Sequence, residues 1–195
     1  MIYGKYRNCR NAAWQCLVDF NVTSIPVMLT PIVKSLGIKV IKDSVIHELE
    51  ANESGVSIFD GKSWYIVYND SEGRKRNRFT IAHELGHILL GHQMKDGYYK
   101  RSVTAVKPQI ETEADMFAVR LLAPACVLWG LDIHSADEIA ELCDISYSAA
   151  KIREERMKVL YQRNKFLTSS LEKQVFRKFE PFINQMSKTS ADTER

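Results

Sequence analysis

Apolar residues recur at helical spacing over much of this chain, with β-rich runs between the first helical stretches. Spacings of three and four residues predict a first helix over 8–20 and a second that ends near Gly37, a residue suited to a helix C-terminus. The run GIKVIK then predicts a strand. Two β-rich runs on either side of Asp60 and Gly61 predict a hairpin, because an Asp-Gly pair favours a tight turn between strands.

The middle of the chain carries two predicted helices separated by an irregular segment. The polar and basic run SEGRKRNR, residues 71–78, predicts a loop, and a helix over 78–91 follows it and ends at a glycine. Residues 93–107 show no strong period and predict a long loop, a kind of segment that is often functional. A clear helix over 108–122 comes next, with a proline suited to its first turn.

The last third of the chain is predicted to be helical. After a short linker, residues 135–162 predict a helix, a tight turn and a second helix. Ser135 and Glu138 have the spacing of a capping box, which supports a helix start at this point. Residues 165–180 predict one more basic amphipathic helix, followed by a frayed tail over 187–195.

These elements together indicate an α+β fold that is mostly helical, with a small sheet built on the hairpin. A length of 195 residues suits one domain with a helical appendage. We expect a first domain over 1–130, with the helices at 78–91 and 108–122, and a helical C-terminal region over 131–195, with a helix-turn-helix-like segment at 135–157.

Composition narrows the class of protein. The counts of 27 Lys+Arg and 24 Asp+Glu give a net charge of +3, which is small for a dedicated nucleic-acid binder. The N-terminal segment lacks the apolar stretch of a signal peptide, and no apolar run is long enough to cross a membrane. Because the N-terminal segment argues against secretion, we expect a cytoplasmic protein whose thiols are reduced and mostly buried. These thiols belong to Cys9, Cys16, Cys126 and Cys143.

The stretch RFTIAHELGHILLGH holds the candidate chemistry. His83 and His87 lie four residues apart, so a helix places both imidazoles on one face, where they can bind one ion. Glu84 lies about 100° further round the helix and borders that face. This is the HExxH arrangement of two zinc ligands and a general base. The alternative is a metal-free helix with one buried and one half-exposed histidine.

The helix over 108–122 offers a third ligand, which zinc requires while it keeps one position for water. Glu111 and Glu113 lie about 200° apart on a helix, so only one of them can face the metal. Glu111 shares its face with Asp115, which can accept the outer N–H of a ligand histidine. We therefore expect Glu111 to be the ligand and Glu113 to be solvated. Without the HELGH motif, Glu111 and Asp115 would indicate only an acidic first turn, which interacts favourably with the helix dipole.

The blocks RFTIAHELGHILLGH and ETEADMFAVRLLAP resemble the ImmA/IrrE family of metallopeptidases. Two further parts of the chain are similar to the same family. They are the N-terminal pair of helices followed by a first strand, and the segment SADEIAELCDISYSAAKIREERM. The resemblance implies a gluzincin-like (zincin-type) fold with zinc bound by His83, His87 and Glu111, and with Glu84 as the base. Manganese or iron would suit the same nitrogen and oxygen ligands.

The resemblance also implies a substrate. Members of this family act on helix-turn-helix transcriptional repressors, often encoded beside them on prophages or mobile elements, and cleavage turns on the silenced genes. We expect a zinc-dependent endopeptidase that cleaves such a repressor, with Glu84 taking a proton from the attacking water. The alternative is a non-catalytic regulatory module that binds protein or DNA, although such a module would have no need of Glu84.

Some polar residues are left without an assigned role. Tyr98, Tyr99 and His92 are candidates to stabilise the oxyanion, by proximity in sequence only. The chain after about residue 165 has no counterpart in the family that the motifs resemble.

The second helix of the 135–157 segment bears on direct DNA binding. It offers Lys151, Arg153 and Arg156, but Glu154 and Glu155 stand among them and weaken the attraction to phosphate. We therefore expect these helices to pack on the catalytic domain and to help recognise the partner, rather than to bind DNA.

Overall fold

The computed structural model describes residues 9–92 and 109–193, which form nine helices and one three-stranded sheet. The helices are α1 (Cys9–Asp19), α2 (Leu29–Ser35), α3 (Asp43–Ile46), α4 (Arg74–Leu90), α5 (Gln109–Leu122), α6 (Ala125–Gly130), α7 (Ala136–Leu142), α8 (Tyr147–Gln162) and α9 (Ser170–Thr193). The strands are β1 (Lys39–Lys42), β2 (Gly55–Phe59) and β3 (Trp64–Tyr68). The predicted class, mostly helical α+β with a small sheet, is confirmed.

Contacts divide the chain into two compact units. The first comprises Met1–Ala13 and Met28–Ala118, and the second comprises Trp14–Val27 and Val119–Arg195. The first unit therefore contains the sheet and the HELGH helix. The functional boundary near residue 130 stays a prediction.

The sheet of the first unit has the strand order β1-β3-β2. β1 runs parallel to β3, with Val40 opposite Ile66, and β2 runs antiparallel to β3, with Val56 opposite Val67. Ile66 and Val67 on the central strand are fully buried, which fits the preference of β-branched residues for strands. The predicted strand and hairpin are confirmed.

The hairpin turn is built as the Asp-Gly pair indicates. Asp60 Oδ1 accepts hydrogen bonds from the backbone N–H groups of Lys62 and Ser63, at 2.8 and 2.7 Å. Gly61 has a φ of +89°, a backbone conformation that side chains disfavour. These two residues therefore define the turn between β2 and β3.

The helix that carries the HELGH motif begins earlier than expected. The basic run predicted as part of a loop is helical from Arg74, so the expected start at residue 78 is wrong. Arg and Lys have high helix propensity, and Arg76 is anchored by a hydrogen bond of 3.0 Å to Ser54 Oγ. A polar run can thus extend a helix when tertiary contacts hold its side chains.

Two other elements also run beyond their predicted bounds. The expected linker after Pro124 contains α6, whose first four residues are buried in a continuous apolar run that shows no helical period. The expected frayed tail is helical as far as Thr193, where α9 ends, and Val175, Phe179 and Ile183 form a buried stripe at helical spacing on both sides of Pro181.

The helix-turn-helix-like segment of the second unit is formed by α7 and α8. Ser135 Oγ accepts from the backbone N–H of Glu138, and the Glu138 carboxylate accepts from the backbone N–H of Ser135, so the predicted capping box is present. Arg153 of α8 is buried, and burial, together with the charge of Arg120, lowers the pKa of Arg153 to about 10.

The predicted burial of the cysteines is confirmed. All of the cysteines are buried and none is in a disulfide. Burial raises the pKa of Cys16 and, to about 12, that of Cys126, which makes both thiols unreactive. None of the described helices is long and apolar enough to cross a bilayer.

The buried helix α4 is closely packed on two sides. A Cβ atom at Gly55 of β2 would lie 2.4 Å from Thr80 Cγ2, and one at Gly86 of α4 would lie 3.3 Å from Ala114 Cα and 3.0 Å from Phe117 Cδ1. The absence of a side chain at Gly86 therefore lets α5 approach the backbone of α4.

We predict that Gly86→Val lowers the free energy of unfolding by about 2 kcal/mol, because the added methyl groups overpack the contact with Ala114 and Phe117. Urea denaturation followed by circular dichroism measures the change. Gly73→Ser is the control, since a Cβ at Gly73 would meet no atom within 4 Å. Equal denaturation midpoints for wild type and Gly86→Val would contradict a close α4–α5 contact.

Candidate metal centre

Two histidines on α4 point their side chains to the same place. His83 and His87 are one helical turn apart and both are buried, with 1% of the surface of each exposed. Their Nε2 atoms lie 3.0 Å apart. The sequence-based alternative of one buried and one half-exposed histidine is therefore wrong.

Glu111 of α5 completes a group of three. Its Oε2 lies 3.4 Å from His83 Nε2, and its Oε1 lies 3.3 Å from His87 Nε2. The ligand atoms all lie within 4.8 Å of one another. Within residues 9–92 and 109–193, this is the one group of His, Cys, Asp or Glu side chains that converges in this way.

The electrostatics of the three side chains favour an ionised carboxylate. Burial alone would raise the pKa of Glu111, but the neighbouring imidazoles of His83 and His87 outweigh it, so the pKa is lowered. Burial alone would lower the pKa of His83, but its contacts with Asp115 and Glu111 raise it above the ordinary value. A buried negative charge is thus held at the place where the two imidazoles meet.

Asp115 determines which ring nitrogen of His83 carries the proton. Asp115 Oδ1 lies 2.7 Å from His83 Nδ1, and a carboxylate only accepts hydrogen bonds, so Nδ1 carries the proton. In the neutral ring this leaves the lone pair on Nε2, the atom that faces His87 and Glu111. Asp115 therefore contacts the outer nitrogen of a candidate ligand histidine, as its helical spacing from Glu111 predicts.

These residues fit a divalent metal ion. Two imidazole nitrogens and a carboxylate oxygen suit zinc, and also manganese or iron. A tetrahedral ion with bonds of about 2.0–2.1 Å has ligand atoms roughly 3.3 Å apart, close to the spacings of 3.0, 3.3 and 3.4 Å found here. Three protein ligands leave one position open.

Glu84 lies beside the ligands but is held by another element. It is buried, and its Oε2 accepts a hydrogen bond of 3.0 Å from Ser57 Oγ of β2. Gly55 permits this closeness, since a Cβ there would lie 3.5 Å from Glu84 Cγ. Sequence reasoning missed Ser57, although a serine between apolar residues of a predicted strand is a signal that its hydroxyl has a buried partner.

The prediction that Glu113 is solvated holds only in part, because its side chain is 32% exposed but also contacts His92. Its Oε2 lies 3.2 Å from His92 Nε2, and its Oε1 accepts a hydrogen bond of 2.7 Å from Gln109. His92 Nδ1 lies 2.9 Å from His87 Nδ1. Burial, and next the charge of His87, lower the pKa of His92, while Glu113 opposes them. Helical angles alone missed this contact because His92 lies beyond the end of α4.

The other predicted oxyanion candidates, Tyr98 and Tyr99, lie outside the described residues, as does the proline expected in the first turn of α5. The structure brings together His83, His87, Glu111 and Asp115, and it buries Glu84 on the same helix as the two histidines.

Comparisons with known proteins bear on this centre. The family described as IrrE N-terminal-like domain, peptidase family M78, matches residues 33–154, which include the sheet, α4 and α5. The chain is also similar to the uncharacterized immunity region protein 2 of Bacillus phage phi105. The two are 32% identical over 117 residues, which cover 60% of this chain and 70% of the phage protein.

The matched region contains every residue of the candidate centre and all three strands. It also agrees with the resemblance to ImmA/IrrE metallopeptidases that the two motif blocks indicate. The chain belongs to the IrrE N-terminal-like domain family of M78 peptidases.

Proposed function

We propose that this chain is a zinc-dependent endopeptidase. The observation that carries the proposal is the convergence of His83 Nε2, His87 Nε2 and the Glu111 carboxylate beside a buried glutamate, Glu84. Family membership supports peptidase chemistry in general. Manganese or iron in place of zinc would leave the roles of the residues unchanged.

The proposed mechanism assigns one task to each side chain. His83, His87 and Glu111 hold the ion, which when bound supplies Lewis acidity towards water and the scissile carbonyl. Glu84 accepts the proton that the attacking water loses and returns it to the leaving amide nitrogen, so that the proton is conserved over the reaction. Ser57 holds Glu84 Oε2, and Glu84 Oε1 would accept the proton.

We propose that the substrate is a helix-turn-helix transcriptional repressor of a prophage or mobile element, whose cleavage relieves repression. The name of the phage phi105 relative, an immunity region protein, supports a role in such an element. The motif blocks that resemble ImmA/IrrE enzymes support the same substrate class. Such a repressor is bound to DNA, so the proposed site of action is the cytoplasm.

A non-catalytic role as a DNA-binding module has less support. Three basic residues of α8 are candidates for DNA contact, but one of them, Arg153, is buried and cannot contact a phosphate. Lys151 and Arg156 are exposed, but exposed Glu155 stands among them. Mixed charge on this surface supports contact with a protein partner more than with a phosphate backbone.

We predict that Glu84→Gln reduces the rate of repressor cleavage by about 10³-fold, because the amide cannot accept the proton. Metal binding should be retained. The measurement is cleavage of the repressor encoded nearest to this chain, followed by mass spectrometry, with metal content measured by plasma mass spectrometry. The matched control is Glu48→Gln, at an exposed position. Full activity of metal-loaded Glu84→Gln would exclude the proposed base.

We predict that Glu111→Gln weakens zinc binding by more than about 100-fold, since a charged ligand is lost and losses of surrounding partners alone cost 10–100-fold. Competition with a chromophoric chelator measures the affinity. The Glu84→Gln protein, which keeps all three ligands, should bind zinc as the wild type does. Unchanged affinity in Glu111→Gln would place the third ligand elsewhere.

We predict that Ser57→Ala lowers kcat by about 10-fold, equivalent to 1.4 kcal/mol, because Glu84 loses the hydrogen bond that orients it. KM and zinc affinity should stay constant. Ser63→Ala, in the same hairpin but in the turn, is the control. A loss of zinc from Ser57→Ala would instead indicate that the hydroxyl supports the fold of the site.

A further inference from the structure

We infer that His92, held by Glu113, is the positioning residue for His87, and that this pair increases the affinity of the site for a divalent cation. The inference rests on the proposed metal site and extends it. Asp115 supports His83 directly, whereas Glu113 supports His87 through a second imidazole.

The backbone at the end of α4 brings His92 to its place. Gly91 has a φ of +69°, and the chain turns back so that the His92 N–H donates to the carbonyl of His87 at 3.1 Å. The rings of His87 and His92 then meet edge to face, with centroids 5.0 Å apart. The His92 side chain is 6% exposed, so water has little access to this contact.

For neutral imidazole rings, the hydrogen-bond partners allow one arrangement of protons in this chain of three residues. The Glu113 carboxylate can only accept, so His92 Nε2 carries a proton. Nδ1 of a neutral His92 then holds a lone pair, which accepts from Nδ1–H of His87. His87 Nε2 is thereby left with its lone pair directed at His83 and Glu111, as a metal ligand requires.

Glu113 is itself held in position. Gln109, one helical turn earlier on α5, donates to Glu113 Oε1 and leaves Oε2 for His92. Helix α5 therefore contributes three carboxylates with different tasks. Glu111 faces the ligand histidines, Asp115 contacts the outer nitrogen of His83, and Glu113 contacts His92.

The test measures the dissociation constant of Zn²⁺ for the full chain, by competition with a chromophoric chelator, in the wild type and four variants. His92→Phe keeps a ring but cannot accept, and should weaken zinc binding by about 10–100-fold. Glu113→Gln should weaken it by a smaller factor. His92→Asn should restore most of the affinity, because its Oδ1 can accept from His87 Nδ1–H. Glu48→Gln, at an exposed position, is the control.

Two further measurements separate positioning from a general effect on the fold. Nitrogen-15 shifts of the histidine rings in the zinc-loaded chain should show the proton of His87 on Nδ1 in the wild type and in His92→Asn. In the double variant of His92→Phe and Glu113→Gln, the loss of affinity should equal that of His92→Phe alone, since Glu113 acts through His92. If His92→Phe fails to fold, the zinc affinities of Glu113→Gln, expected to be lowered, and of His92→Asn, expected to be mostly kept, test the inference.

The outcomes distinguish this inference from the proposed function. Unchanged zinc affinity in both His92→Phe and Glu113→Gln overturns the inference and leaves the metal site standing. Binding of two zinc ions by the wild type and of one by His92→Phe also overturns it, since His92 would then be a ligand of a second ion. A chain that shows the expected affinities and cleaves no repressor would contradict the endopeptidase proposal and support the positioning role.

Discussion

The close approach of α5 to α4 at Gly86 is the contact on which the candidate metal centre depends. A side chain at Gly86 would meet the backbone of Ala114 and the ring of Phe117, which flank the turn of α5 that carries the site acids. Metal–ligand distances tolerate deviations of only about 0.2 Å. A small displacement of α5 would therefore take Glu111 out of reach of both histidines.

The centre also has to keep buried polar groups satisfied. A buried carboxylate costs several kcal/mol unless it is paired. The Glu111 carboxylate faces two imidazoles and, in the proposed site, a cation that would balance its charge. The outer nitrogen of each imidazole has its own partner, Asp115 for His83 and His92 for His87. The contact at Nδ1 of each histidine thus orients its ring, so that the Nε2 lone pairs of both rings can point towards one metal ion.

The candidate base is oriented by a different part of the first unit. His83, Glu84 and His87 belong to one stretch of α4. Helix α5 contacts the two histidines, whereas Ser57 of β2 contacts Glu84. Gly55 and Gly86 are the points at which strand and helix come close to α4. This arrangement predicts that changes to the sheet affect proton transfer, and that changes to α5 affect metal affinity.

The sequence by itself determined the features that depend on local geometry. The hairpin, the capping box, the shared face of His83 and His87, and the pairing of Glu111 with Asp115 all follow from the periods of a strand and a helix. Only the tertiary structure decided where α4 begins and how far α9 extends. It also decided that Ser57 reaches Glu84 and that Glu113 reaches His92, across 27 and 21 residues of chain. Such contacts depend on the packing of separate elements, which no local period encodes.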